Sequence, residues 1–173
     1  AFKAAPPTMI RANASEVIAL ANMWGLNTET VGDASEHRPA GVESVDDVES
    51  AIAPAQRLAR FMARHGANGT AAVAVSGATD MVTDGEHMYR LAGGSAMMTK
   101  ITGAGCSLGG VTAVYLAVAQ PLIAALAATS LYNTAGEIAE KRSNGPGSFQ
   151  VALLDALWNV TAEEVADRAI DMR

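Results

Sequence analysis

A glycine-rich segment around the single cysteine combines the residue types needed to bind an anion. The segment Thr102–Cys106 stands between a run of β-type residues, Met97 to Ile101, and a long apolar run that begins at Val111. This order predicts a strand, a glycine turn and the start of a helix, where the first N–H groups have no intrahelical partner. Such donors, together with the helix dipole, favour a bound anion and above all a phosphate. Cys106 would lie in or near the first helical turn, where the dipole favours a thiolate.

The same segment has a simpler interpretation. A Gly-x-Gly turn often only packs a strand against a helix, and a lone cysteine such as Cys106 often behaves as a small buried apolar residue. The motif by itself is therefore a hypothesis about an anion site.

A second polar group comprises Arg11, Asn13 and Glu16, which follow a short β-rich run that begins at Thr8. Asn13 with Glu16 three residues later has the spacing of a capping box, which would satisfy both side chains without any chemistry. Alternatively, all three residues lie at the carboxyl end of a sheet, where open α/β folds bind ligands. A guanidinium group suits phosphate, and a carboxylate suits magnesium through water.

The elements that must position these groups alternate between strands and helices. A run of small and β-branched residues, Ala71 to Val75, predicts a strand buried on both faces that ends at Ser76, whose hydroxyl can face a nucleotide or make a turn. A hairpin is predicted to close near Asp84-Gly85. Helices are predicted over residues 46–65 (with a kink or late start at Pro54), 111–119, 121–140 and 151–160, the last capped by Ser148. The alternation predicts a layered α/β fold with a mostly parallel sheet, and residues 25–45 are expected to form a surface loop.

Composition limits the classes of function. The 173 residues suit one domain, 1–173, and 50% of them are apolar. A net charge of −6 argues against nucleic acid or an anionic membrane as the main partner. The single Cys excludes an internal disulfide, and the three His show no metal-ligand spacing. The most apolar region is broken by Gln120-Pro121 into two pieces, which predicts two buried helices. No signal peptide is visible, so a cytoplasmic location is the default expectation.

Several segments resemble hydroxyethylthiazole kinases, ribokinase-like enzymes of thiamine biosynthesis and salvage. The segment Met98–Cys106 is similar to their anion-hole motif; most ribokinase-like relatives carry Asp at the position of Cys106, whereas the thiazole kinases carry Cys. The segment Arg11–Glu16 resembles the family's Arg-Gly-Asn-x-x-Glu, with Ala12 in place of Gly. Ala74–Asp80 and Gly145–Phe149 match further family segments.

The resemblance implies a ribokinase-like fold with a hairpin near the nucleotide site. It also implies magnesium-dependent transfer of the γ-phosphoryl group of ATP to the hydroxyl of 4-methyl-5-(2-hydroxyethyl)thiazole, by a trimeric enzyme. By matching positions, it implies that Cys106 is the catalytic base and that the backbone from Gly103 to Cys106 forms the anion hole. The implied anion-hole residues are Gly103, Ala104, Gly105 and Cys106; Gly103 contacts substrate, Arg11 and Ser76 contact ATP, and Glu16 with Asn13 binds the metal.

Other functions stay open from the sequence. The resemblance covers nearly all of this chain, which does not begin with Met, but about the C-terminal two-thirds of a family member, so we expect an N-terminal portion to be missing. The chain could then bind nucleotide without activity of its own. Another ribokinase-like kinase, acting on hydroxymethylpyrimidine or on hydrated NAD(P)H, is a further alternative. A simple dinucleotide-binding module is poorly supported, because the glycine turn follows several strands and lacks an acidic residue at the expected spacing.

Overall fold

The computed structural model describes residues 2–27 and 48–172, so most of the predicted loop 25–45 lies outside the described residues. One sheet contains β1 (Met9–Asn13), β2 (Ala72–Ser76), β3 (Thr79–Thr83), β4 (Met88–Ala92) and β5 (Asp171–Met172) in that order. The helices are α1 (Ala14–Met23), α2 (Ile52–His65), α3 (Ala104–Leu116), α4 (Pro121–Lys141), α5 (Pro146–Asn159) and α6 (Ala162–Ala166). The predicted layered α/β fold is confirmed. Within the described ranges, no helix combines the length and the apolar character needed to cross a bilayer.

The sheet is mixed, where the sequence predicts a mostly parallel one. β1 runs parallel to β2, but β2 runs antiparallel to β3. The reason is the short connection between β2 and β3, Gly77-Ala78, which can only turn the chain back on itself. The predicted hairpin is present as β3 and β4, joined at the expected place; the Thr83 hydroxyl accepts from the Gly85 N–H at 2.9 Å and donates to the His87 carbonyl at 2.6 Å.

Two compact units make up the chain, one of residues 1–90 with 172–173 (the first unit) and one of residues 91–171 (the second unit). In the first unit, α1 and α2 pack on β2 through an apolar cluster that includes Val17, Leu58, Met62 and Val73. β2 is buried on both faces, as predicted. The expectation of a single domain over 1–173 stays a prediction.

Helix α2 begins late, which is one of the two outcomes, a kink or a late start, predicted from Pro54. A 3₁₀ helix, Glu49–Ala51, precedes it, and Pro54 is its third residue. Proline is tolerated in the first turn because the missing N–H would have no intrahelical partner there. Ala55, Leu58, Ala59 and Met62 are buried, as the helical spacing predicts.

The second unit is a helical layer of α3, α4 and α5 around Tyr132, Phe149 and Leu153. Pro121 is the first residue of α4, as predicted. The predicted start of the last long helix near Val151 is wrong: α5 begins at Pro146, because the fixed φ of proline suits the first helical position. Ser148 therefore lies inside the first turn, where its hydroxyl donates to the Gly145 carbonyl at 3.1 Å.

The strand predicted over Met97 to Ile101 is also wrong. Residues Ala96–Lys100 form a 3₁₀ helix, which Ser95 caps by accepting from the Met97 N–H at 3.1 Å. Met98 packs directly against α4 at Gly136, where a Cβ would lie only 2.1 Å from the Met98 Cε. This close approach needs glycine on α4 and favours the compact 3₁₀ conformation over the extended one that methionine and isoleucine suggest.

Candidate functional site

Four of the predicted site residues lie at one edge of the sheet in the first unit. These residues are Arg11, Asn13, Glu16 and Ser76, called the edge group below. Since β1 and β2 are parallel and Asn13 pairs with Ser76 in register, their carboxyl ends meet at this edge. The Arg11 Nη2 donates to the Ser76 Oγ at 2.7 Å. The structure therefore brings together the two side chains predicted to contact ATP.

Asn13 and Glu16 form the capping box that their spacing predicts. The Asn13 Oδ1 accepts from the Glu16 N–H, and the Glu16 Oε2 accepts from the Asn13 N–H, each at 2.9 Å. The Glu16 side chain is nevertheless exposed, and a carboxylate has about four acceptor positions, of which the box uses one. The box thus fixes the carboxylate at the sheet edge and leaves it able to accept from a metal-bound water.

The part of the chain that the structure describes does not bring several carboxylates together to coordinate a metal directly. No group of three or more His, Cys, Asp or Glu there could hold a metal ion. The donor set of the edge group fits magnesium held mainly through water and phosphate, as this ion prefers.

Ala12, which stands where the related family segment has glycine, lies inside β1 and pairs with Val75 of β2. A paired strand position has extended backbone that any residue adopts. Alanine is therefore accommodated here without strain.

The second group of predicted site residues, Gly103–Cys106, lies in the second unit at the start of α3 and is called the turn group. Gly103 is the N-cap of α3 with φ +89, a left-handed conformation that disfavours residues with a Cβ. Apart from Gly103 and its two chain neighbours, no described residue has an atom within 4 Å of the position that a Gly103 Cβ would take, so the cap is open to a ligand. Cys106 is the third helical residue, and its side chain is exposed. The prediction that this cysteine lies in the first helical turn is confirmed, and its interpretation as a buried apolar residue is not.

The sequence allows Tyr132 either to approach the site or simply to pack in the core, and it does not indicate the contact of Tyr132 with α3. This tyrosine of α4 is 2% exposed, and its hydroxyl lies 2.5 Å from the hydroxyl of Ser107, the residue after Cys106. The two residues are 25 positions apart on different helices, and no periodicity in the sequence indicates which residue a buried tyrosine hydroxyl meets.

Glu137 of α4 holds the segment that precedes the turn group. Its Oε1 accepts from the Gly94 N–H at 3.0 Å and from the Arg168 guanidinium at 2.7 Å. The hydrogen bond from Arg168 holds the pKa of Glu137 below its usual value, against a smaller opposing effect of burial. Arg168 also donates to the Ala92 carbonyl at 2.5 Å. Glu137 and Arg168 together clamp the chain on both sides of Gly93.

The sequence favours a position for His87 on a surface strand over a role as a base, and the structure places this exposed residue at the hairpin turn just before β4. Its Nδ1 is 3.0 Å from the Asp84 Oδ2, and this hydrogen bond raises the pKa of the exposed imidazole. Burial pushes the pKa of Asp84 upward, but hydrogen bonds from the backbone and ring of His87 and from the Glu86 N–H outweigh it, so the pKa of Asp84 is lowered. The hydrogen bonds that the structure describes for this pair lie within the turn, so the pair stabilises the turn.

A model of the hydroxyethylthiazole kinase family matches residues 2–163. The chain is 73% identical over 177 residues to hydroxyethylthiazole kinase of Bifidobacterium longum (strain DJO10A), in an alignment that covers 98% of this chain and 56% of that protein. It is 47% identical to the protein of the same name from Clavibacter sepedonicus, over 92% of this chain and 52% of that protein.

A solved structure agrees with these matches. The hydroxyethylthiazole kinase protein from Pyrococcus horikoshii OT3 superposes with a TM-score of 0.75 and 25% identity, over 95% of this chain and 54% of that chain. The chain thus spans about half the length of the relatives that it matches.

Proposed function

Because this chain belongs to the hydroxyethylthiazole kinase family, we propose that it serves ATP-dependent phosphorylation of the hydroxyl of 4-methyl-5-(2-hydroxyethyl)thiazole, a step of thiamine biosynthesis and salvage. The observation that carries the proposal is the start of α3, where a left-handed glycine cap precedes a first turn that exposes Cys106. Phosphoryl transfer requires mainly positioning and neutralisation of charge, and a helix N-terminus supplies both.

In the proposed mechanism, the turn group binds the transferring phosphoryl group. The N–H groups from Gly103 to Cys106 hold the negative charge that develops on the phosphoryl oxygens. The open approach to Gly103 lets the substrate hydroxyl come close to the backbone. The hydroxyl oxygen forms the new bond to the γ-phosphorus, the bond from that phosphorus to the β–γ bridging oxygen breaks, and ADP leaves.

Cys106 accepts the proton that the hydroxyl loses. A thiolate is a weak base for an alcohol, so its contribution to the rate is modest compared with that of the backbone donors. Its exposure at the third position of α3 gives it access to a bound substrate.

The edge group binds the nucleotide. The forked guanidinium of Arg11 pairs with the β- or γ-phosphate, and its hydrogen bond with Ser76 fixes its direction. Glu16 and Asn13 would hold a magnesium ion through water at the sheet edge. Magnesium, when bound, neutralises the charge of the phosphates.

The proposal is tested by measuring ADP release with MgATP and a panel of hydroxyl-bearing thiazoles and pyrimidines. We expect turnover with the hydroxyethylthiazole and little with hydroxymethylpyrimidine. Cys106→Ala should lower kcat about tenfold with the KM for ATP within twofold of the parent value, because the thiol moves the proton and does not bind nucleotide. Cys106→Ser is the matched variant that keeps a polar group of similar size.

Two results would redirect the assignment. Binding of ATP without turnover on any alcohol would favour a nucleotide-binding role for this chain alone, and unchanged kcat in Cys106→Ala would remove the cysteine from the role of base. We further propose that the chain forms a homotrimer in the cytoplasm, and sedimentation equilibrium would measure its oligomeric state.

A further inference from the structure

We propose that the Tyr132 hydroxyl is a positioning group for the turn group, acting through Ser107 to fix the direction of the backbone donors at the start of α3. This inference rests on the proposed function where it concerns turnover. Its structural part stands on contacts within the second unit alone.

The Ser107 hydroxyl links Tyr132 to the backbone of the first turn of α3. The Ser107 hydroxyl lies 3.0 Å from the carbonyl oxygens of both Gly103 and Ala104 and 2.5 Å from the Tyr132 hydroxyl. A carbonyl can only accept, and a serine hydroxyl has one proton to donate. The arrangement that satisfies all of these groups has Ser107 donating to one of the two carbonyls and Tyr132 donating to Ser107.

The buried ring of Tyr132 is held rigidly by its packing. Tyr132 is 2% exposed and packs in the same apolar cluster as Phe149 and Leu153, so its ring has a fixed place on α4. Ser107 is exposed, and without this bond only its contacts with the Gly103 and Ala104 carbonyls would restrain its hydroxyl. The buried ring thus supplies a fixed point to which the exposed first turn of α3 is attached.

Neighbours of Tyr132 on α4 hold the chain that leads to the turn group. One helical turn further on, Gly136 receives Met98 of the 3₁₀ helix, and Glu137 accepts from the Gly94 N–H. Helix α4 therefore holds the chain before the turn group and, through Tyr132, the turn group itself. Of these contacts, only the one from Tyr132 reaches the turn that carries Cys106.

The expected consequence is a change in kcat with little change in KM. The donors of the turn group must point at the phosphoryl oxygens when charge develops on them, and small errors of position weaken such bonds strongly. Binding of ATP in the ground state depends on the edge group, which lies in the first unit.

The test uses three variants of the full chain. Tyr132→Phe removes one hydroxyl from the buried ring, and Ser107→Ala removes the partner hydroxyl at an exposed position where folding is not at risk. Tyr115→Phe is the matched control, since Tyr115 lies half-buried on α3 and its hydroxyl makes no hydrogen bond in the described part of the chain. We expect kcat to fall about tenfold in the first two variants, with the KM for ATP within twofold, and to stay at the parent value in Tyr115→Phe. The double variant should lose no more kcat than the more impaired of the two single variants, because each single change already removes the Tyr132–Ser107 hydrogen bond.

A second measurement does not depend on activity. Exchange of the Ser107 amide, whose N–H donates to the Gly103 carbonyl at 2.9 Å, should accelerate about fivefold or more relative to its intrinsic rate in Tyr132→Phe and in Ser107→Ala, and should not change in Tyr115→Phe. Parent-like exchange in both variants overturns the inference. Accelerated exchange with parent-like kcat in an active enzyme overturns the positioning role. If the parent chain shows no turnover, the proposed function fails, while the exchange data still decide whether Tyr132 fixes this turn.

Discussion

The glycine at the start of α3 shows how one residue can serve both backbone geometry and ligand access. Gly103 adopts φ +89 at the N-cap, and the space where its Cβ would lie is empty. The need for glycine is therefore set by the backbone conformation and not by crowding. An empty space beside several N–H donors is what an anion requires.

Gly103→Ala should lower the free energy of unfolding by about 1 kcal/mol, because a left-handed conformation is unfavourable for alanine. The same change should lower kcat about tenfold, since the cap sets the direction of the donors. Urea unfolding and steady-state assays measure the two effects.

Gly110→Ala is the matched control, because Gly110 lies inside α3, and outside its chain neighbours and the helix backbone no described atom lies within 4 Å of the position of its missing Cβ. Alanine there should raise the free energy of unfolding by about 0.5–1 kcal/mol through helix propensity. A parent-like stability for Gly103→Ala would contradict the argument from φ.

Asn13 and Glu16 carry two interpretations that substitution can separate. Asn13→Ala should cost about 1 kcal/mol of stability, because the Glu16 N–H loses its partner. Glu16→Gln keeps an oxygen that accepts from the Asn13 N–H, so stability should change by less than about 0.5 kcal/mol. The same Glu16→Gln variant should need about tenfold more magnesium for half-maximal turnover, because the charge that attracts the ion is gone. An unchanged magnesium titration would confine Glu16 to capping.

At the scale of elements, α4 is the scaffold of the second unit. It packs against α3 and α5 and supplies Glu137, whose carboxylate is held by Arg168 and by the Gly94 N–H. The side chains of Glu137 and Arg168 are 38% and 12% exposed, so the cation is the more desolvated partner. The loss of the carboxylate charge therefore leaves a mostly buried guanidinium with a weaker partner.

Glu137→Gln should lower the free energy of unfolding by about 1 kcal/mol at neutral pH, a value reduced for the partial exposure of the pair. The folded pKa of Glu137 lies below its usual value near 4.5, so its contribution is complete above that value. The contribution is lost as the pH falls through the lower, folded pKa. The difference between parent and variant in urea midpoint should therefore shrink below about pH 4.5.

Glu140→Gln provides the control for that series. Glu140 is an exposed carboxylate on the same helix, so its replacement makes the same change in charge. Its effect on the urea midpoint should stay within the range of surface substitutions, about 0.5 kcal/mol. Equal effects of the two variants would show that net charge, and not the clamp, sets the result.

Most elements of the fold, and the placement of the candidate residues at a strand end and at a helix start, could be predicted from sequence, because they follow local rules. The Asn13–Glu16 box, the glycine N-cap and the first position of Pro121 depend on residues close in the chain. The 3₁₀ helix over 96–100 and the Tyr132–Ser107 contact could not be predicted, since both depend on α4 approaching from a distant part of the chain. Propensity for a strand was overridden by this packing.

At the scale of the whole molecule, ligand binding should couple to stability. A nucleotide that binds only the folded state raises the free energy of unfolding by about 2.7 kcal/mol at one hundred times its Kd. MgATP should therefore raise the Tm in proportion to the logarithm of its concentration, and MgAMP much less, because Arg11 is assigned to the outer phosphates. Arg11→Lys should reduce the shift, since lysine lacks the planar fork. Equal shifts with both nucleotides would contradict this assignment.

The two tryptophans of the chain give each compact unit its own optical reporter. Trp24 is 4% exposed and packs beside Phe61, with ring centroids 5.5 Å apart, whereas Trp158 on α5 is 88% exposed. Their fluorescence should separate accordingly, with blue-shifted emission from Trp24 and red emission from Trp158 that acrylamide quenches readily. Recording both signals during a melt would follow the two halves individually, and association of chains through α5 would register as a loss of quenching at Trp158.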